Sequence, residues 1–135
     1  MATSRMLFVN LPVSDLDKSK HFFAQLGFEF NQQFTNEDAA CMVVSGQASV
    51  MLLREPFFKS FTQRAVAEVS KQTEVMTAVS CESRAEVDAL FNQALAAGGA
   101  EAMAAQDLGF MYSRAFYDLD DHHWELVWMD PAAIQ

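Results

Sequence analysis

The run His122-His123-Trp124-Glu125 concentrates the side chains best able to move a proton. Alternate side chains on a strand leave opposite faces, so His122 and His123 cannot both serve one site, whereas His123 and Glu125 share a face. A His-x-Glu pair of this kind is either an acid/base couple or a rim histidine beside a carboxylate that neighbouring groups hold in place. Tyr112 and Arg114, on the preceding strand-like run, are the hydroxyl and cation that could hold Glu125 or contact a ligand beside it. Upstream, Asp118, Asp120 and Asp121 crowd one turn. Three carboxylates there raise the idea of calcium, but the EF-hand spacing is missing and a solvated turn accounts for them. Cys41 and Cys81 lie 40 residues apart with no CxxC, which disfavours a zinc or redox pair. Both have apolar neighbours and read as buried structural thiols. His21 falls on a predicted helix, at the surface or against a sheet.

Positioning these groups takes two similar sets of elements. A helix is predicted to open at Ser14-Asp15, with Ser14 accepting from first-turn N–H groups, and to stop at Gly27. Its apolar face reads Leu16, Phe22, Phe23 and Leu26. A second helix opens at the capping box Ser83-Arg84-Ala85-Glu86, runs through Val87, Leu90, Phe91 and Ala94, and stops at Gly98-Gly99. The two serines are 69 residues apart and the two glycines 71, so the chain holds two copies of one unit. One strand-like run precedes each helix (6–11 and 74–80), and up to three follow it (28–34, 39–45 and 48–54; 101–105, 110–117 and 122–129). Ser45-Gly46-Gln47 and Asp118–Asp121 supply turns. The pattern is an α+β fold of two tandem βαβββ modules, 4–54 and 73–130, within a single domain spanning 1–135. Residues 55–72 connect the modules. In this connector Pro56 ends a strand, 62–71 could form a short helix, and Phe57, Phe58 and Phe61 could be a lid, part of a dimer interface, or simply buried.

Composition narrows the function. The chain has 135 residues, 51% hydrophobic and 20% charged, with a net charge of −9. That is enough apolar material for a core. The acid excess argues against nucleic acid and against an anionic membrane surface as partner. No apolar run is long enough to span a bilayer. The first residues meet Pro12 and Asp15 too soon for a signal peptide, so a cytoplasmic protein is expected. The charge is uneven: residues 1–67 hold six bases and six acids, residues 68–135 three bases and twelve acids.

The segment Phe8-Val9-Asn10-Leu11-Pro12-Val13-Ser14-Asp15-Leu16-Asp17-Lys18-Ser19, followed by His21-Phe22-Phe23, resembles the opening of vicinal oxygen chelate proteins. This superfamily includes glyoxalase I, bleomycin-resistance proteins, fosfomycin-resistance enzymes and extradiol dioxygenases. Phe116-Tyr117-Asp118-Leu119-Asp120-Asp121-His122-His123-Trp124-Glu125-Leu126 resembles its closing strand pair, F-x-D-P-D-G-H-x-W-E-L, and Leu95-Ala96-Ala97-Gly98-Gly99 the end of its second helix. Asp121 stands where that pattern has glycine, so a left-handed backbone there would rely on the tolerance of Asp for it.

The resemblance implies curved sheets around one cavity, which in metal-dependent members holds a divalent ion on four strand positions. Those positions fall here at Phe8, Leu52, Met76 and Glu125. Only Glu125 offers a hard donor. No cofactor is therefore expected, and a divalent metal enters only if the mapping is wrong. Alternation from these positions gives a wall of Phe8, Asn10, Val50, Leu52, Met76 and Ala78, with His123 and Glu125 as its polar groups. That wall fits a small-molecule pocket and also a filled core. Glu125 could act as general acid or base, bind a ligand, or pair structurally. Three functions follow from the resemblance. The first is a metal-independent protein that binds a small, partly apolar ligand, as drug-sequestering members do. The alternative is a glyoxalase-like lyase or isomerase, of the lactoylglutathione-lyase kind, on a small carbonyl or glutathione adduct. The third is a scaffold with a filled cavity. Whether the chain is an enzyme stays open at this level. The family also implies a homodimer.

Overall fold

The computed structural model describes residues 4–133. The chain divides into two compact units, Met1–Ala67 and Glu68–Gln135. The first unit is neutral and the second carries the acid excess.

In the first unit, β1 (Leu7–Val13) leads into α1 (Leu16–Gln25), then β2 (Glu29–Phe30), a 3-10 turn (Gln32–Phe34), β3 (Ala39–Ser45), β4 (Ala48–Arg54) and the short α2 (Glu55–Lys59). The sheet order is β1-β4-β3-β2, with β1 parallel to β4 and the other pairs antiparallel. Asp15, not Ser14, caps α1: its Oδ1 accepts from the Lys18 N–H at 3.1 Å. A carboxylate there also faces the positive end of the helix dipole. The helix ends in a Schellman motif. Gly27 sits at φ +94°, Phe28 N–H reaches the Phe23 carbonyl, and Gly27 N–H reaches that of Ala24. The rings of Phe23 and Phe28 close the motif edge to face at 6.1 Å. Leu16, Phe22, Phe23 and Leu26 bury the apolar face of α1 in a core with Leu11, Met42, Val50 and Leu52.

The second unit repeats the plan. It holds β5 (Met76–Ser80), α3 (Arg84–Ala96), β6 (Ala100–Asp107), β7 (Met111–Tyr117), β8 (His123–Met129) and a closing 3-10 turn (Pro131–Ala133). Its sheet order is β5-β8-β7-β6, with β5 parallel to β8. The Ser83 Oγ accepts from the Glu86 N–H at 3.0 Å, while the Glu86 carboxylate accepts from the Glu82 N–H at 2.8 Å. The reciprocal half of the box thus falls one residue early. Gly98, at φ +111°, and Gly99 end α3 with the same Schellman pairing that ends α1. Trp124 stacks on Phe116, its register partner, at 6.4 Å, in a core with Val87, Phe91 and Leu126.

The βαβββ repeat and its turns are as expected, and the fold is α+β. Besides the cap of α1, two local expectations fail. The run 28–34 yields only two strand residues before Asn31 caps a 3-10 turn. The helix of the connector lies at 55–59, not 62–71: Pro56 sits in its first turn, where its missing N–H costs nothing. Among the described residues no helix is long and apolar enough to cross a membrane.

Candidate functional site

Each sheet has one face turned to its helix and one turned away, and the register assigns every residue to one or the other. Across β5 and β8, Met76 pairs with His123, Ala78 with Glu125 and Ser80 with Val127. Across β7 and β8, Tyr117 pairs with His123 and Ala115 with Glu125. Met76, Ala78, His123 and Glu125 therefore share the face away from α3, as alternation predicts. Tyr117 and Ala115 join them. His123 is 7% exposed, and Glu125 half-buried. The imidazole meets the Tyr117 ring edge-on at 5.8 Å. Its Nε2 lies 3.6 Å from Glu125 Oε1, beyond hydrogen-bonding distance, and is buried without a hydrogen-bond partner. Such an atom carries a desolvation penalty that a polar ligand atom within reach would relieve.

Tyr112 and Arg114 do not reach Glu125. They alternate onto the α3 face, opposite Trp128 and Leu126. The Tyr112 hydroxyl donates to Asp88 Oδ1 at 2.6 Å, and Arg114 Nη1 lies 3.3 Å from the same oxygen. The Arg114 guanidinium stands 3.7 Å over the Phe91 ring. Both belong to a polar girdle around α3. In the same girdle Arg84 bridges Asp107 through two hydrogen bonds and lies over the rings of Tyr112 and Trp128.

The aspartate turn is built inward. Asp118 is buried, and its carboxylate accepts from Trp124 Nε1 at 2.9 Å and from the N–H groups of Asp120 and His122. Burial pushes its pKa up, with nearby His122 and these hydrogen bonds opposing. Asp121 adopts φ +64°, the left-handed conformation anticipated at the family's glycine position. This turn locks the start of β8 and so the direction of His123 and Glu125. The Cys81 thiol is pushed up to about 11 by burial and by Glu86, in keeping with a structural role.

In the first unit the register corrects the sequence reading by one residue. Phe8 pairs with Ser49, Asn10 with Met51 and Pro12 with Leu53. Val50 and Leu52 pair with Val9 and Leu11 on the opposite face and lie in the core under α1. Phe8 and Asn10 are exposed, and the β4 residues on their face are Ser49, Met51 and Leu53. On this face lies a cavity of about 440 Å³ lined by Asn10, Leu53, Phe58, Phe61 and Thr62. Of these five, the sequence placed only Asn10 among the site residues. Leu53 was lost to the slip in parity, and the other three lie in the connector, whose aromatic cluster was the available signal.

Two βαβββ units with this topology define a protein of the glyoxalase and bleomycin-resistance class. The family described as "Bleomycin resistance protein-like N-terminal" matches residues 5–45. The structure of a hypothetical protein, SA1046 from S. aureus, is 31% identical, covers 94% of this chain and 94% of its own, and superposes with a TM-score of 0.78. A glyoxalase-related enzyme from Fulvimarina pelagi is 20% identical over 93% of this chain and 88% of its own, with a TM-score of 0.79. The fosfomycin resistance protein FosX from Mesorhizobium loti is 15% identical over 98% and 95%, with a TM-score of 0.66. These last two bear on the fold alone. No curated protein matches the sequence. The chain belongs to the vicinal oxygen chelate superfamily.

Proposed function

We propose that this chain binds a small, partly apolar molecule on the sheet faces turned away from α1 and α3, and does so without the superfamily's metal. The observation that carries this reading is the chemistry of the strand positions that hold the ion elsewhere in the superfamily. β1 presents Phe8, β4 presents Ser49, Met51 and Leu53 on the same face, β5 presents Met76, and β8 presents Glu125 as the one hard donor, too few to hold a divalent ion. Phenyl, thioether and alkyl groups do not fit a hard divalent cation, and the serine hydroxyl is a weak donor. Among the described residues no three His, Cys, Asp or Glu side chains gather. Such faces instead offer apolar contact with a few polar groups, the composition of a small-molecule site. We extend the proposal to a cytoplasmic homodimer.

The test is isothermal titration of chelator-treated protein with aromatic compounds, cationic drugs included. Heat with saturable binding in the presence of chelator is expected. No binding at millimolar ligand, or binding that returns only with Ni, Zn, Co, Mn or Fe, would overturn the reading.

A second reading is favoured by the His123–Glu125 pair, whose unpartnered Nε2 and half-buried carboxylate could pass a proton to and from a carbonyl substrate. It predicts turnover of the methylglyoxal–glutathione adduct that Glu125→Gln abolishes. The binding reading predicts none, with or without added metal.

A further inference from the structure

We propose that the cavity between the C-terminal halves of β1 and β4 and the segment 55–62 is a seat for a neutral, planar aromatic molecule bearing one amide-like group. The inference rests on the small-ligand reading above and gives it a place and a ligand class. The volume, about 440 Å³, suits a ligand of one or two rings. Leu53 forms an apolar floor, and Phe58 and Phe61 form a wall. Phe61 is 70% exposed, yet its ring is held edge-on against Phe57 at 5.0 Å. An aromatic side chain fixed in water beside a cavity is a stacking surface arranged in advance, which lowers the ordering cost of binding.

Two polar groups border this apolar space. The Asn10 carboxamide, with one acceptor and two donors, makes no hydrogen bond among the described residues. The Thr62 hydroxyl accepts from the Arg64 N–H at 3.2 Å and keeps its own proton to donate. Both groups complement a carboxamide or a comparable donor–acceptor pair. Among the described residues no charged side chain lines the cavity, and on the flanking elements Arg54 pairs with Asp38 at 2.9 Å and Lys59 with Glu55 at 3.4 Å. A charged group inside the cavity would therefore lose hydration with no counter-ion in the lining.

Three probes of one shape separate the possibilities: 1-naphthamide, 1-naphthoate and 1-naphthylmethylammonium, titrated calorimetrically into the full chain. The amide is expected to bind about tenfold more tightly than either ion. Phe61→Ala, at an exposed site where folding is not at stake, is expected to weaken it about tenfold, and Asn10→Ala about fivefold. Thr62→Trp, which fills the cavity and also removes the Thr62 hydroxyl, is expected to abolish binding. Amide binding that all three variants leave unchanged, or equal binding of an ion, overturns the inference. If amide binding instead responds to His123→Ala, the small-ligand reading stands and only this site falls. No heat from any probe or from the cationic drugs removes both.

Discussion

Replacing Arg114 by alanine discriminates between a binding and a structural role for the α3 face. The guanidinium lies 3.7 Å over Phe91 and is 22% exposed. A partly desolvated cation over a ring contributes about 1–2 kcal/mol. Its ion pairs, at 3.3 Å to Asp88 and 3.7 Å to Glu101, involve half-exposed carboxylates. Solvent screening limits the two together to about 0.5 kcal/mol. The aliphatic stem covering the core adds about 1 kcal/mol. Against this, Arg114 Nε is buried without a partner, and its removal returns about 1 kcal/mol. The net loss is about 2 kcal/mol, or a fall of about 1 M in the urea midpoint. Trp124 and Trp128 both lie on β8, so intrinsic fluorescence reports the unfolding of this unit. Arg114→Met, which keeps the stem and the ring contact, should recover about half the loss. Ligand affinity should not move in either variant. Unchanged stability together with a tenfold change in ligand affinity would refute the assignment of Arg114 to the helix-side girdle.

Three further outcomes follow from the same geometry. Leu52→Ala should destabilise by about 2–5 kcal/mol by opening a cavity under α1 while leaving ligand affinity alone; Met51→Ala should do the reverse, as chemical denaturation and titration will show. Asp107 is held at about 2, chiefly by the Arg84 hydrogen bonds, with the Gly109 N–H adding to them. Its folded pKa lies below the ordinary 3.8, so its contribution is complete above that value and lost as pH falls through about 2. Asp107→Asn should accordingly flatten the acid limb of a thermal-stability profile between those values. Asp121→Gly relieves a left-handed backbone and should raise stability by about 0.5–1 kcal/mol, measured by urea unfolding.

The elements themselves were legible because punctuation and periodicity agree. Gly27 and Gly98 mark both helix ends, since the Schellman turn needs a positive φ that other residues resist. The boundary of the two units, at 67/68, also separates a neutral half from an acidic one. The helix caps show the limit of such reading. Ser14 and Asp15 are both good capping residues, and propensity does not choose between neighbours. The backbone does: Asp15 has the extended φ of −137° that a cap requires, and its carboxylate reaches the third N–H of the helix.

The candidate faces divided along the same line. On β8 the sequence His-Trp-Glu-Leu alternates polar and apolar residues, so one slip would bury a charge, and the parity of His123 and Glu125 could be read. On β4 the run Val50-Met51-Leu52-Leu53 is apolar on both faces, and no side chain objects to a slip. Its parity is set from outside, by the turn that delivers Leu7 N–H to the Gln47 carbonyl and starts the parallel ladder at Ala48. The second face of β4 is apolar because α2 and the following turn supply it with cover. Leu53 lies below Phe58 and Phe61 at the cavity, and Pro56 turns the chain back over the sheet. A strand that is apolar on both faces, followed at once by Pro and aromatic residues, therefore signals that the next segment folds over it. The double-sided run and the Phe cluster are two halves of one feature, and the 440 Å³ cavity is the space that feature leaves beside Asn10.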